Sequence, residues 1–456
     1  MDDRLSRKEK FGLVLLLIVA LAFGGLVVKR AAFMKRRMTD VDCYLRAAWA
    51  VRTGQDLYEI LDPNDWHYNY PPLFAILMTP LADPPPGADR TGMLPFAVSV
   101  AIWYAVSLGC LGLGVHWLAG AIEEKWPDKQ VREQPRFCRR SWALRIIPIL
   151  ACLLPIGHTL MRGQVNLLLL ALLCGMVAAT LRGKSLLAGA YLAGAICLKV
   201  IPAFLLLFPL WRRDLRCLVG CALGLVVGGV VIPTMVFGPV RTVNYYENYA
   251  RVLIGPALGL GADQSRAKEM IETTANDSQS LQAALHNTLH PIRADRPAVP
   301  TALVRWIPRV VGGFLTLLTL VASGWKKSDS GSNVALFSGA LIINMLLLSP
   351  ICHMHYFSLC VVIVMGLLAA RWERSRHGLG TGLTLIFTLN ILCYIPPNIP
   401  EWLILRDWAI MVYPTLILWT VGVVTLWKRS DSVSTSLDST KLGEGASNLQ
   451  GPPLAA

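Results

Sequence analysis

About twelve apolar stretches recur along this chain of 456 residues, most of them near the roughly 20 residues that span the hydrocarbon core of a bilayer. Only 16% of the residues are charged, whereas a soluble chain carries about 25%. The pattern predicts an all-α polytopic integral membrane protein with about twelve transmembrane helices, rather than several soluble domains.

Positive charge is distributed unevenly along the chain. The net charge of +14 arises largely from Lys and Arg residues in short loops between apolar stretches. Such loops face the cytoplasm, and they do not form the basic stripe with interleaved aromatic residues that binds nucleic acid. Their positions predict cytoplasmic termini and outer loops at about residues 31–93 and 238–300.

The two ends of the chain differ in character. Phe11–Val28 is longer than the apolar core of a signal peptide, and Lys29 and Arg30 follow it instead of a cleavage site. This predicts an uncleaved first transmembrane helix, so residues 1–429 are expected to form one membrane domain. Residues 430–456 are rich in Ser and Gly without apolar periodicity, which predicts a disordered cytoplasmic tail.

The 11 cysteines do not follow a ligand or disulfide pattern. Most lie inside apolar stretches, and no two are spaced as CxxC. Cysteine is used here as a small apolar residue, and neither a disulfide framework nor a metal site is expected.

Two acidic residues, Asp40 and Asp42, follow the first apolar stretch. If a helix begins there, Asp40 and Tyr44 share one face at i, i+4, which makes Asp40 a candidate general base at the membrane surface. Thr39 and Asp40 are equally suited to cap the helix, and the spacing does not decide between the two interpretations. Asp42 points elsewhere on such a helix and is expected to be solvated.

The apolar segment Leu186–Leu210 contains Lys199, shortly before Pro202. We predict two short helices that meet near Lys199, because broken helices occur where the backbone lines a cavity. An ionisable group at membrane depth marks a functional site by default, and the alternative is a lysine that snorkels to the interface. The predicted break favours the functional interpretation.

The motif Arg162–Asn166 (RGQVN) lies at an outer junction between apolar stretches. Gln164 and Asn166 offer amides for sugar hydroxyls, and Arg162 offers a planar guanidinium for phosphate. The alternative is a helix start that Asn166 caps.

Histidine and tyrosine mark two other outer positions. His355, just before Tyr356, can donate to a phosphate oxygen, or it is an interfacial histidine beside an aromatic belt. His353 and His355 are not expected to hold a metal, since no carboxylate or further cysteine beyond Cys352 lies nearby in sequence. Tyr70, in a Tyr-Pro-Pro turn, is by itself best explained as an interfacial anchor.

The order and spacing of these motifs match one known pattern. Its pieces are Asp40–Ala48, Gly54–Tyr58, Tyr70–Phe74, Gly163–Asn166, Lys199 with Pro202, and Ser349-Pro350 leading to His355-Tyr356. Together they resemble the polyprenyl-phosphate-mannose-dependent mannosyltransferases of glycosyltransferase family 87, in the GT-C superfamily. Two positions depart from the family: His353-Met354 replaces a frequent Trp-Asp, and Ser278-Gln279-Ser280 replaces a frequent Asn-Gln-Ser.

The resemblance implies a GT-C bundle with periplasmic loop helices in a bacterial inner membrane, whose site opens to the periplasm. It implies a lipid-phosphate sugar donor, with mannose as the sugar, and no separate cofactor. The family's catalytic base, an aspartate four residues before a tyrosine, corresponds to Asp40. The histidine of its His-Tyr pair corresponds to His355.

The chemistry of sugar transfer agrees with these assignments. Transfer needs a base for the acceptor hydroxyl and positive charge where the phosphate leaves. Asp40 can act as the base in a direct displacement with inversion, while Arg162, Lys199 and His355 hold the phosphate without a metal. The remaining candidates are Gln164, Asn166 and Tyr356 on the donor side, and Asp42, Tyr44, Tyr70, Gln279, Ser280 and His353 as acceptor or loop residues.

Other function classes also fit a polytopic chain. A transporter or flippase for a lipid-linked or anionic substrate would have broken helices and a buried lysine, but it more often has internal pseudo-symmetry, and the sequence has no visible internal repeat. A polysaccharide ligase or polymerase would lack the Asp40-to-Tyr44 spacing. We therefore expect a hexosyltransferase whose partners are membrane lipids, a polyprenyl-phosphate-linked sugar and a glycolipid or glycan acceptor.

Overall fold

The computed structural model describes residues 6–34, 40–126, 139–258, 277–324, 330–374, 378–396 and 402–447, together with 260, 263, 265, 266, 269, 272 and 399. Within these ranges the structure is helical, and the extended pairing is limited to one isolated bridge between Leu61 and His67. The predicted all-α class is confirmed for the described part of the chain.

Eight α-helices make up the first part of the chain. They are α1 (Arg7–Phe33), α2 (Asp40–Thr53), α3 (Pro72–Met78), α4 (Phe96–Glu124), α5 (Arg139–Ala151), α6 (Leu153–Arg162), α7 (Asn166–Leu181) and α8 (Ser185–Leu198). Ser6 begins α1 with a capping box, in which its hydroxyl accepts from the Glu9 amide and Glu9 accepts from the Ser6 amide.

The helices of the second part are more often interrupted. They are α9 (Leu207–Trp211), α10 (Leu215–Leu225), α11 (Ile232–Phe237), α12 (Pro239–Tyr249), α13 (Gly255–Leu258), α14 (Leu281–Leu289), α15 (Ala302–Ser323), α16 (Gly331–Leu348), α17 (Val361–Arg374), α18 (Gly378–Phe387), α19 (Leu403–Asp407) and α20 (Val412–Ser447). Short 3-10 segments precede α9 and α17, and π-helical turns follow α10, α12 and α18. The last helix continues into the segment predicted to be a disordered tail, and that disorder stays a prediction.

Six helical segments among the described residues are long and apolar enough to cross a membrane, or seven if one bent pair counts as a single span. Five further apolar segments are only 10–17 residues long, shorter than the roughly 20 residues that a full crossing needs. The chain is therefore a multi-pass membrane protein, while the predicted count of about twelve spans is not confirmed.

Two interruptions of the apolar segments can be compared with the sequence pattern. The break near Lys199 is confirmed, because α8 ends at Leu198 and a 3-10 segment begins at Ile201. The bend of 66° between α5 and α6 is an interruption that the apolar pattern does not predict. Pro148 inside α5 cannot donate a backbone hydrogen bond, and this weakens the helix just before the bend.

The apolar helices of this bundle face either the lipid or the interior of the protein. The apolar window of α1 is 11% buried, whereas that of α16 is 94% buried, so α1 faces lipid and α16 is the central helix. Between α8 and α10 the backbones touch directly: a Cβ atom on Gly189 would lie 2.0 Å from the Cys217 carbonyl oxygen. Small residues at such contacts let membrane helices approach closely.

The two segments predicted to be outer loops pack against each other, and both contain helices. The Glu269 carboxylate accepts from Asn69 Nδ2 at 2.5 Å and contacts His67 Nδ1 at 2.6 Å. Arg266 donates to the carbonyl of Tyr58. These contacts fix the segment that leads into Tyr70 and α3.

Candidate active site

An ion pair between Asp40 and Arg162 lies where α2 begins and α6 ends. Arg162 Nε donates to Asp40 Oδ2 at 2.7 Å, and Nη2 donates to Oδ1 at 3.3 Å. Burial acts to raise the pKa of Asp40, but the charge and hydrogen bonds of Arg162, with a hydrogen bond from Gln164, hold that pKa below its usual value. Asp40 is therefore ionised at neutral pH, and both side chains keep some exposure.

Gly163 sets the direction of the Arg162 motif. Its φ of +67° lies in the left-handed region, which glycine adopts without strain. A Cβ atom there would lie 2.7 Å from Cβ of Val41, and the Gly163 carbonyl accepts from Trp103 Nε1 at 2.7 Å. The glycine thus lets α6 stop directly against α2, which brings Arg162 to Asp40.

Two tyrosines and a glutamine form a hydrogen-bonded group beside this pair. The hydroxyl of Tyr44 lies 2.9 Å from that of Tyr70 and donates to Gln164 Oε1 at 3.0 Å. Burial raises the pKa of both phenols, so they stay neutral. Tyr70 is therefore part of the candidate site, and the simpler interpretation of an interfacial anchor does not describe its contacts.

Lys199 ends among residues from three elements. Its ammonium lies 3.8 Å from the ring centroid of Tyr356 and 5.6 Å from that of Tyr70, distances at which a cation interacts with an aromatic face. It also donates to Asn166 Oδ1 at 3.4 Å. These contacts do not match a snorkelling lysine. Val165 occupies the N-cap position of α7, so the alternative in which Asn166 is the cap is wrong.

Three histidine rings gather on the other side of Tyr356. The ring of His355 lies 4.8 Å from Tyr356, 5.4 Å from His353 and 5.8 Å from His158, measured between centroids. Burial and the nearby Arg162 charge lower the pKa of His353 to about 3, so this ring is neutral at pH 7. His355 is 1% exposed.

Ser278, Gln279 and Ser280 contact the backbone that directly precedes the histidines. The Cys352 amide donates to Ser278 Oγ at 3.0 Å, and the Gln279 amide donates to the Cys352 carbonyl at 2.5 Å. Ser280 Oγ donates to the Pro350 carbonyl at 3.2 Å. These residues fix the backbone that leads into His353, and their acceptor-binding role stays a prediction.

Asp42 corrects one expectation. It is 4% exposed, so the prediction of a solvated carboxylate is wrong. Asp42 lies two positions after Asp40, about 200° around α2, and that face of the helix is also buried. Thr39, the other candidate cap, lies outside the described residues.

The candidate donor-side residues are therefore brought together from three separate parts of the chain, 162–166, Lys199 and 355–356. In the described ranges, His, Cys, Asp and Glu side chains do not form a group of three that could hold a metal ion. The site instead presents one carboxylate, two basic side chains, three imidazoles and a set of phenol and amide groups. Such a set can take up a proton at Asp40 and bind an anion at Arg162 and Lys199.

Comparison with known proteins decides the family. The profile of "Glycosyltransferase family 87" matches residues 68–350, which is more than half of the chain. The chain belongs to glycosyltransferase family 87. The resemblance to this family inferred from the motifs is thereby confirmed.

Two curated relatives carry the name polyprenol-phosphate-mannose-dependent alpha-(1-2)-phosphatidylinositol mannoside mannosyltransferase. The protein of Mycolicibacterium smegmatis is 30% identical over 199 residues, 42% of this chain and 42% of its own length. The protein of Mycobacterium tuberculosis is 26% identical over 338 residues, 67% of this chain and 75% of its own length. Among solved structures, ArnT from Cupriavidus metallidurans bound to undecaprenyl phosphate matches with a TM-score of 0.42 and 16% identity, over 91% of this chain and 76% of that one.

The family match covers only part of the candidate site. Tyr70, the Arg162 motif and Lys199 lie inside it, whereas Asp40 and His355 lie outside. The assignment of these last two in this member of family 87 therefore depends on their geometry.

His158 was not predicted from sequence. Its position four residues before Arg162 on a helix is the signal that could have identified it.

Proposed function

We propose that this member of glycosyltransferase family 87 transfers a hexose, mannose by analogy with the names of its relatives, from a polyprenyl-phosphate donor to a glycolipid or glycan acceptor. One observation carries the proposal: a carboxylate that is ionised at neutral pH lies beside two cations and a cluster of neutral polar groups. Sugar transfer from a lipid phosphate needs this combination of base and anion site.

In the proposed reaction the acceptor oxygen attacks the anomeric carbon of the sugar as the bond from that carbon to the phosphate oxygen breaks. The acceptor proton passes to Asp40, and the bonding electron pair leaves with the polyprenyl phosphate. Because the nucleophile enters opposite the leaving group, the configuration inverts. Arg162 and Lys199 stabilise the charge that grows on the phosphate.

The groups that hold the sugar follow from the same arrangement. Gln164, Tyr44 and Tyr70 lie next to Asp40 and offer an amide and hydroxyls to the sugar hydroxyls. Tyr356 presents its ring to Lys199 and keeps that cation in place. The proposed mechanism uses no metal, since the two cations supply the charge that a divalent ion would supply.

The proposed orientation places the site on the periplasmic side of a bacterial inner membrane. The site lies at the end of α7 that begins with Asn166, and Arg182 follows the other end. Basic loops such as this one favour the cytoplasmic side. The polyprenyl chain would then run along the bundle, with its phosphate at the outer surface.

The test is a transfer assay with purified protein in lipid nanodiscs. Radiolabelled polyprenyl-phosphate mannose and a membrane lipid extract would be supplied, with and without a metal chelator. We expect labelled product in both conditions. Loss of turnover that Mg²⁺ restores would contradict metal independence, and movement of intact donor across liposomes without transfer would favour a transporter.

A further inference from the structure

His158 lies on the same face of α6 as Arg162, one helical turn earlier. Its ring is stacked on that of His355, with centroids 5.8 Å apart and planes inclined by 14°. His158 thus joins the candidate site through a residue already assigned to the donor side. The proposed function gives His158 no role.

The stack is held in place by the backbone next to both rings. Thr159 Oγ1 donates to the Pro155 carbonyl at 2.8 Å and to the His355 carbonyl at 3.2 Å. Ser358 Oγ also donates to the His355 carbonyl, at 2.8 Å. Because Thr159 directly follows His158, these bonds fix the two imidazoles relative to each other.

The ring nitrogens of this stack have unused hydrogen-bonding capacity. Within the described part of the chain, both ring nitrogens of His355 and Nδ1 of His158 are buried without a hydrogen-bond partner. A neutral imidazole carries one donor and one acceptor, and leaving such groups unpaired in a buried site is unfavourable. Polar atoms of this kind indicate the place of a ligand.

The surroundings determine the charge of that ligand. Arg162 lies on the face of α6 that carries His158, and Lys199 lies against Tyr356, whose ring contacts His355. The carboxylate of Asp40 accepts hydrogen bonds from one edge of the Arg162 guanidinium. The N–H groups on the other edge can therefore donate to an anion. A phosphate oxygen fits this combination of cations and imidazole donors.

We propose that His158 and His355 form a pair of imidazole donors that binds the phosphate of the lipid donor. This inference rests on the proposed function and deepens it. When the bond between sugar and phosphate breaks, the phosphate gains a negative charge, so hydrogen bonds from the two N–H groups become stronger. His158 would then contribute to binding of the leaving lipid phosphate and not to binding of the acceptor.

The experiment compares two substitutions of one residue in the full chain in nanodiscs. His158→Phe keeps an aromatic ring for the stack but removes the nitrogens, and His158→Asn places an amide near the position of Nδ1. The matched control is His116→Phe, because His116 is an exposed histidine on α4, away from the site. Thermal unfolding of each variant checks that the bundle is intact.

The readouts are the Kd for polyprenyl phosphate and the acceptor KM. We expect His158→Phe to weaken polyprenyl phosphate binding by about tenfold, the size of one hydrogen bond to a charged group. His158→Asn should recover part of that loss, and the acceptor KM should not change in either variant. A parallel titration with inorganic phosphate separates a site for the free ion from one that requires the lipid.

Each contrary result has a distinct meaning. Unchanged polyprenyl phosphate binding in His158→Phe, with weakened binding in Lys199→Ala, would overturn the role of His158 and leave the proposed function intact. Unchanged binding in both variants would contradict the donor phosphate site itself. Equal loss in His158→Asn and His158→Phe, with lowered thermal stability, would assign His158 to packing.

Discussion

Two charged clusters lie at opposite ends of α16, and they differ in what their side chains contact. The candidate site follows the C-terminal end, where His353 and His355 meet Arg162 and Lys199. The other cluster surrounds Asn333, near the N-terminal end. Since α16 has 18 residues, about 27 Å of helix separates the two.

The second cluster is held together by bonds among its own side chains, although Glu373 Oε1 has no hydrogen-bond partner among the described residues. Arg429 forms an ion pair with Glu373 and donates to Asn333 Oδ1 at 2.6 Å, and Ser332 Oγ donates to Glu373 at 2.8 Å. Glu373 and Arg429 are buried, with side chains 5% and 14% exposed. These bonds connect α16, α17 and α20 to one another.

The candidate site is arranged differently, although it also contains an ion pair. Asp40 and Arg162 are 25% and 32% exposed, and the imidazole nitrogens of His355 have no partner among the described residues. Buried polar groups without partners are unfavourable unless a ligand satisfies them. Because the candidate site is more exposed and, within the described ranges, leaves both nitrogens of one imidazole unpaired, we infer that it binds a ligand and that the other cluster stabilises the fold.

The largest effect on turnover is expected for Asp40→Asn. The amide keeps the size of the side chain but cannot take up the acceptor proton, so transfer should fall by about 10²- to 10⁴-fold. Transfer of labelled mannose in nanodiscs measures this. Asp89→Asn is the matched control, because Asp89 is an exposed carboxylate of the same outer loop, and equal losses in both variants would contradict the role of Asp40 as base.

A smaller and more selective effect is expected for Lys199→Ala. Removal of the ammonium should weaken binding of the lipid donor by about tenfold to a hundredfold, since a hydrogen-bonded charge at a phosphate contributes on the order of 1.5–3 kcal/mol. The acceptor KM should stay the same. Lys184→Ala, at an exposed lysine after α7, is the control, and an unchanged donor Kd would argue against phosphate binding by Lys199.

The pH dependence of transfer tests the ion pair between Asp40 and Arg162. In the wild-type protein Arg162 lowers the pKa of Asp40, so the base stays deprotonated and the acidic limb of the rate profile lies below the usual carboxyl range. In Arg162→Gln the largest lowering effect is lost while burial still acts to raise the pKa of Asp40, so that pKa rises and activity should fall at higher pH than in the wild type. An acidic limb that stays in place would mean that another group controls it.

Parts of this site could be predicted because local sequence determines them. The break at Lys199 follows from a lysine and a proline in an apolar segment, and α7 has the bounds that the apolar pattern from Asn166 to Leu181 indicates. Gly163 permits a left-handed turn at any such junction. In each case the signal lies within a few residues of the feature that it predicts.

The remaining features depend on contacts between distant parts of the chain. Asp42 is buried, and the sequence near Asp42 contains no sign of the packing that buries it. His158 approaches His355 on the far side of the 66° bend between α5 and α6. The apolar pattern across these two helices indicates one continuous helix and contains no sign of the bend. Helix length and burial are likewise set by tertiary packing, and therefore the number of complete spans could not be read from hydropathy.

The smallest effect on turnover is expected in the second cluster. Glu373→Gln leaves the buried Arg429 without its anion, which typically lowers the free energy of unfolding by about 3–5 kcal/mol. Turnover per folded molecule should stay the same, because the full length of α16, about 27 Å, separates this cluster from the candidate site. Thermal unfolding and the transfer assay on the same preparation measure both quantities.

The control for this last prediction is a more exposed ion pair at a helix end. Glu124 pairs with Arg182 at 2.8 Å, and their side chains are 54% and 32% exposed. Such a pair contributes only about 0–1 kcal/mol, so Glu124→Gln should change stability little. If Glu373→Gln lowered turnover per folded molecule without lowering stability, the second cluster would be coupled to the site, and the division between a ligand-binding end and a stabilising end of α16 would be wrong.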